Sequence, residues 1–219
     1  MMNSELIQKL SKQGIIAVLV IEDIEQTLPL AKALFDGGVK AVELTLRTPV
    51  AFEAAKLIKK QMPEVVLGIG TVLMPSQVEQ IASIGVDFAV APGCNPKVIE
   101  AAAKCSLPFA PGVATPTDME IALEKGCKVM KFFPAEPMGG LKYLDSAATP
   151  YRHLGISFIP LGGLCAENMG AYLASPLITA IGGSWIAKSD MIRAGQWDKI
   201  TANAKEAIAI VKQVRGQCD

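Results

Sequence analysis

In the stretch KVMKFFPAEP, Lys131 stands among Val129, Met130, Phe132 and Phe133. Burying an ammonium is costly, and apolar surroundings favour the uncharged amine, which can attack a ketone to form an imine where an ammonium cannot. Alternate side chains of an extended segment face opposite ways, so Val129, Lys131 and Phe133 share one face. Lys128, at the start of the run, faces the other way and reads as solvated. In AVELTLRTP the same alternation separates Val42, Leu44 and Leu46 from Glu43, Thr45 and Arg47. An inward carboxylate and guanidinium suit proton transfer and anion binding, although a structural ion pair satisfies the pattern too. Lys131 has a similar alternative, as a snorkelling amine or as the partner of Glu43.

Two glycine pairs follow apolar runs late in the chain, Gly162–Gly163 in LGGL and Gly182–Gly183 in IGGSW, the second with the hydroxyl of Ser184. Turns of this kind expose backbone N–H groups to a phosphate, or serve only to turn the chain. Thr71 in GIGTV and Pro92 in APG also end apolar runs, where turn chemistry alone would place them. Cys94 has no nameable base and reads as a neutral filler. The single histidine, His153, reads as a solvated residue near a helix end, which disfavours chemistry needing two histidines, such as most catalytic zinc sites.

The elements that must hold these residues repeat along the chain. An amphipathic stretch closes on Gly and a short apolar run follows, in FDGGVKAVELTL, IASIGVDFAVAPG, LEKGCKVMKFFPA and YRHLGISFIPLGG. Glycine suits the left-handed end of a helix, and an unbroken apolar run suits a strand covered on both faces. The pattern predicts strands near 15–20, 42–46, 66–71, 88–91, 109–112, 129–133, 158–161 and 180–181. Eight strand and helix units of roughly 20 to 30 residues predict a single-domain (β/α)8 TIM barrel over residues 1–219, although an open doubly wound sheet has a similar local pattern. In a barrel, chemistry belongs at the carboxyl ends of the strands, where the candidate groups fall.

Bulk composition narrows the partners. Of 219 residues 51% are hydrophobic, enough for one large core, and 21 basic residues balance 21 acidic ones. No overall field favours nucleic acid or an anionic membrane, so any anion must be held locally. The five cysteines, at 94, 105, 127, 165 and 218, form no C-x-x-C pair, which argues against a disulfide framework or a structural zinc site. The polar start and the short run IIAVLVI fit neither a signal segment nor a membrane span, and a cytoplasmic protein is expected.

Taken together, VELTLRTP, GIGTV, VAPG, KFFPAE and IGGSW resemble, in order and spacing, the 2-keto-3-deoxy-6-phosphogluconate (KDPG) and 4-hydroxy-2-oxoglutarate (KHG) aldolases. The resemblance spans essentially the whole chain. It implies a class I aldolase on a (β/α)8 barrel, without metal or cofactor, usually a homotrimer, splitting a sugar-acid phosphate into pyruvate and glyceraldehyde 3-phosphate. It implies Lys131 as the Schiff-base lysine and Glu43 as general acid/base. Arg47 and Thr71 would hold the pyruvyl carboxylate, Phe133 and Pro92 would line the pocket, and Gly162, Gly163, Gly183 and Ser184 would hold the phosphate. Where relatives acting on the gluconate-derived substrate have PTGG, this chain has PLGG, so Leu161 opens the alternative of the galactonate-derived epimer. Two rival readings dispense with the imine: a phosphate-binding barrel isomerase or synthase using Glu43 and Lys131 as base and acid, and a non-catalytic sugar-phosphate binding module.

Overall fold

A computed structural model of the chain describes residues 1–216; Cys218, and the last three residues of the expected domain, lie outside the described residues. Parallel strands alternate with helices along the described chain. The strands are β1 Ile15–Leu19, β2 Ala41–Thr45, β3 Val66–Gly70, β4 Phe88–Val90, β5 Phe109–Ala110, β6 Gly112–Val113, β7 Val129–Phe132, β8 Ser157–Pro160 and β9 Ile181–Gly183. The helices are α1 Ser4–Gln13, α2 Thr27–Asp36, α3 Ala51–Gln61, α4 Pro75–Ile84, α5 Pro96–Lys104, α6 Pro116–Glu124, α7 Gly140–Ala148, α8 Ala166–Leu173, α9 Ser189–Arg193 and the long closing α10 Trp197–Arg215. Each of the eight expected strands begins within one residue of an observed one. The expected glycine ends recur as well: Gly85 and Gly155 close their helices at φ 76° and 70°, where a side chain would be strained.

Strands assemble as a six-stranded sheet, ordered β5-β4-β3-β2-β1-β9, and a three-stranded sheet, ordered β6-β7-β8. Two details differ from the expected pattern. The fifth strand is split, because Pro111 has no N–H to give to a ladder; β5 pairs with β4, β6 pairs with β7, and the Pro111 carbonyl still accepts from Lys131 N at 2.8 Å. Gly183, expected in a turn, lies in strand β9 opposite Ala17, since pairing with β1 carries the strand past Ile181. At the other margin Phe158 N donates to Leu177 O at 2.7 Å and Thr179 N to Phe158 O at 2.9 Å, joining β8 to the segment before β9.

The alternation of side chains sorts the core into two layers. Ile15, Ala17 and Leu19 of β1, Val42 and Leu44 of β2, and Met130 and Phe132 of β7 pack outward under the helices. Ile16, Val18, Ala41, Val129, Ile159 and Leu161 point the other way into a separate inner cluster, against which Phe133 packs. Helix α1, not anticipated from the sequence, closes this inner layer with Leu6 and Leu10. Its boundaries have local causes: the Asn3 side chain accepts from Leu6 N at the start, and Gly14 turns left-handed at the end.

Candidate active site

Glu43 and Lys131 occupy the inner face, 2% and 5% exposed, and Lys131 Nζ donates to Glu43 Oε1 at 3.1 Å. Their strands do not pair with each other, so the contact crosses the interior. A buried ion pair is a poor stabiliser, because desolvating both charges offsets most of their attraction; its presence among Val18, Val129 and Ile159 calls for a use beyond packing. The room for the carboxylate comes from β3, which turns glycine inward at Gly68 and Gly70. A methyl on Gly70 would lie 1.8 Å from Glu43 Oε1, and one on Gly68 would lie 2.2 Å from the Phe88 ring. Phe133 stands at the carboxyl end of β7 with Lys131 Nζ 5.5 Å from its ring centre, so the amine has an aromatic wall as well as an acidic neighbour. The Phe133–Pro134 peptide is cis.

Arg47 sits just past β2 on a turn pinned at both sides, where Thr45 Oγ1 donates to Leu19 O at 3.0 Å and Thr48 Oγ1 to Ile21 O at 2.6 Å. Arg47 is exposed and has no carboxylate partner among the described residues. Thr71, directly after Gly70, is partly buried with φ 63°. That conformation is costly for a β-branched residue and is characteristic of sites where function fixes the backbone. Pro92 follows β4, partly buried, and packs so closely that a methyl on Gly112 would meet its carbonyl carbon at 2.2 Å.

The two glycine pairs have different settings. Gly162 and Gly163 form the turn after β8 with φ 99° and 83°; Gly183 is buried in β9, and Ser184 just beyond it is exposed. Leu161 is buried and lies over Gly182, whose methyl would fall 2.2 Å from Leu161 Cγ. The strand ends thus gather Leu161, Gly182 and Phe133 around one mouth.

Other candidates separate from this cluster. Lys128 and His153 are exposed, the latter on a short turn of helix at 149–154. Burial, followed by the nearby Asp118, pushes the Cys94 thiol up to about 11, so it is protonated at neutral pH and a poor nucleophile. Among the described residues no group of three or more His, Cys, Asp or Glu side chains is arranged to hold a metal, and no helix is long and apolar enough to cross a membrane. A concavity of about 710 Å³, rimmed by Lys9, Lys12, Lys40 and Glu64, opens at the amino ends of the strands, away from Lys131.

Two residues escaped the sequence reading. Glu136, five positions after Lys131, accepts a hydrogen bond at Oε1 from the hydroxyl of Tyr172 on α8, which is 2% exposed. Burial and then the Glu136 carboxylate raise the Tyr172 phenol above its ordinary range, keeping it a proton donor. The PAE that ends the KFFPAE stretch was the available signal for Glu136; Tyr172 had none.

A parallel α/β fold with a buried amine and carboxylate on one inner face fits a class, the enzymes that work through a lysine at the carboxyl ends of strands. Comparison with known proteins makes the class particular: the sequence profile of the KDPG and KHG aldolases matches residues 6–203, and the chain belongs to that aldolase family of carbon–carbon lyases. The KHG/KDPG aldolase of Escherichia coli is 39% identical over 194 residues, 89% of this chain and 90% of the relative. Among solved structures, the KDPG aldolase of Legionella pneumophila, captured with pyruvate as a covalent carbinolamine, superposes with a TM-score of 0.85 at 36% identity, covering 90% of this chain and 94% of that one. The 2-keto-3-deoxy-6-phosphogluconate aldolase of Zymomonas mobilis, solved with 3-phosphoglycerate, gives a TM-score of 0.83 at 40% identity, with 93% and 95% covered.

Proposed function

We propose that this chain is a class I aldolase that cleaves 2-keto-3-deoxy-6-phosphogluconate to pyruvate and glyceraldehyde 3-phosphate, with 4-hydroxy-2-oxoglutarate as a second substrate. The observation that carries the reading is the buried contact of 3.1 Å between Lys131 Nζ and Glu43 Oε1. The covalent pyruvate adduct of the Legionella relative and the joint KHG/KDPG name of the Escherichia coli relative support it.

The steps follow from these two groups. Lys131 attacks the C2 ketone, and the carbinolamine loses water to a protonated imine. Glu43 takes the proton of the C4 hydroxyl, the C3–C4 bond breaks, and its electron pair moves onto the imine nitrogen as an enamine, releasing the aldehyde. Protonation at C3 and addition of water then return pyruvate and free Lys131. The imine is the electron sink, so the scheme itself calls for no cofactor. A positioned acid/base adds about 10²–10⁴-fold to such a step.

Arg47 and Thr71 hold the pyruvyl carboxylate, and Phe133 and Pro92 wall the pocket. The Gly162–Gly163 turn, Gly183 and Ser184 hold the phosphate. Arg47's lack of a carboxylate partner among the described residues and the left-handed backbone of Thr71 support the first assignment. The Zymomonas relative, solved with 3-phosphoglycerate, supports a phosphorylated substrate. The two sheets close as a (β/α)8 barrel in one domain, a reading supported by the bonds at Pro111 and at Phe158. The active form is a cytoplasmic homotrimer, as the sequence resemblance implies.

Treatment with pyruvate and borohydride tests the reading: a single three-carbon label is expected on Lys131 and none in Lys131→Arg, whose guanidinium stays protonated. Label on Lys128 or Lys142 with Lys131 unmodified, or no label at all, overturns it.

A further inference from the structure

We propose that Glu136 and Tyr172 form a positioning clamp that sets the distance between the imine-forming lysine and the turn that binds the phosphate, an inference that rests on the function proposed above. The segment after Lys131 is tied to the turn after β8 along its backbone: Ala135 N donates to Leu161 O at 2.7 Å and Glu136 N to Gly162 O at 2.9 Å. The side chain continues the contact, since a methyl on Gly163 would lie 2.6 Å from Glu136 Cβ and 2.9 Å from Cγ. The carboxylate then reaches the Tyr172 hydroxyl. From the other side, Asn168 Nδ2 on α8 donates to Gly163 O at 3.1 Å while its Oδ1 accepts from Cys165 N at 2.9 Å. The glycine turn is therefore gripped by the segment after β7 on one flank and by α8 on the other, and the Glu136–Tyr172 bond joins the two grips.

Charge does not oppose this role. Glu136 Oε1 lies 2.9 Å from where a Gly140 methyl would stand, at the first residue of α7, whose positive helix end offsets the carboxylate. Tyr172 is anchored by burial, so its hydroxyl is a fixed point. Glu136 lies on the exposed rim and ties the segment after β7 to that point. A substrate held at the lysine and at the phosphate turn needs these ends at a fixed span, whereas one without a phosphate does not depend on the phosphate contact.

The test compares 2-keto-3-deoxy-6-phosphogluconate with 4-hydroxy-2-oxoglutarate. Tyr172→Phe, which keeps the buried ring, and Glu136→Ala are each expected to raise KM for the phosphorylated substrate about 10-fold. Activity on 4-hydroxy-2-oxoglutarate and borohydride trapping of pyruvate at Lys131 are expected to hold within about twofold, as the lysine end is untouched. Glu136→Gln, which keeps an acceptor oxygen for Tyr172, is expected to recover most of the loss. Equal losses on both substrates would reduce the pair to a fold contact, and no loss on either would remove the clamp altogether. If the unaltered chain fails to trap pyruvate, the aldolase reading falls; trapping intact with an unchanged substrate ratio in the variants overturns the clamp alone.

Discussion

Replacing Gly70 with alanine tests whether Glu43 acts through its position as well as its charge. The φ of Gly70 is outside the left-handed region, so alanine is allowed there by the backbone and the effect is purely one of space. Its methyl would lie 1.8 Å from Glu43 Oε1, where contacts below 3.0 Å are not tolerated, so the carboxylate must move by at least ~1.2 Å. A shift of this size disturbs the 3.1 Å bond from Lys131 and displaces the carboxylate from the C4 hydroxyl, which a general base must reach within ~3.2 Å. A misplacement of about 1 Å is worth about 100-fold, so kcat is expected to fall by about that factor with KM less affected. Gly68→Ala provides the comparison on the same strand, because the atoms nearest its methyl would be those of the Phe88 ring, at 2.2 Å, rather than the Glu43 carboxylate. Both variants are expected to lose about 1–3 kcal/mol of stability in chemical unfolding, and only Gly70→Ala to lose catalysis. Adding Gly70→Ala to Glu43→Gln should cost no further activity, since both disable the same group. Near-normal kcat in Gly70→Ala, or a loss that multiplies fully with that of Glu43→Gln, would refute the assignment of proton transfer to Glu43.

Three further outcomes are expected. Ser184→Ala should weaken phosphorylated substrates by about 1.5–3 kcal/mol in kcat/KM and spare 4-hydroxy-2-oxoglutarate; equal losses would move the phosphate elsewhere. Leu161 places an isobutyl group, unable to hydrogen-bond, at the mouth over Gly182, so the gluconate- and galactonate-derived epimers should differ by less than about 100-fold in kcat/KM, and Leu161→Thr should widen the ratio towards the gluconate epimer. Discrimination well above about 10³ in the unaltered chain, or none gained in the variant, would place the stereochemical reader elsewhere. Arg215 donates to Ser11 O at 2.6 Å, Thr179 O at 2.9 Å, Ile178 O at 2.9 Å and Leu173 O at 3.3 Å, tying the last helix to α1, α8 and the segment before β9. Arg215→Met should lower unfolding stability by about 2–4 kcal/mol, read as a denaturation midpoint, without changing KM.

The local features of the fold were legible because they have local causes. Period-two alternation sets which way Glu43 and Lys131 face whatever the neighbouring strands do, and glycines such as Gly85 and Gly155 mark helix ends by their own backbone freedom. Helix α1 was missed although Asn3, Leu6, Leu10 and Gly14 form a capped, periodic pattern, because its polar residues masked the two leucines. The break at Pro111 was legible in principle, since a proline in an inner strand must interrupt a ladder. Pairings across the interior were open: Glu43 and Lys131 are 88 residues apart, and no period specifies which inner residues meet. Identical Gly-Gly dipeptides show the same limit, one forming a turn and the other a strand according to what pairs with them.

One regularity becomes visible only in three dimensions and connects the candidate site to its scaffold. Three of its side chains face a glycine: Glu43 lies over Gly70, Leu161 over Gly182, and Glu136 over Gly163. In each case the glycine lies on a different strand or strand-end turn from the side chain it admits. A strand glycine sacrifices β propensity and packing, so fold stability alone would favour larger residues at Gly70 and Gly182. Their small size makes sense as the complement of a neighbour that must reach into the mouth. The chemistry is therefore encoded twice, once in the reactive residue and once in the space left opposite it, and the second record explains why a silent-looking change such as Gly70→Ala is expected to act on catalysis as strongly as a change to a polar group.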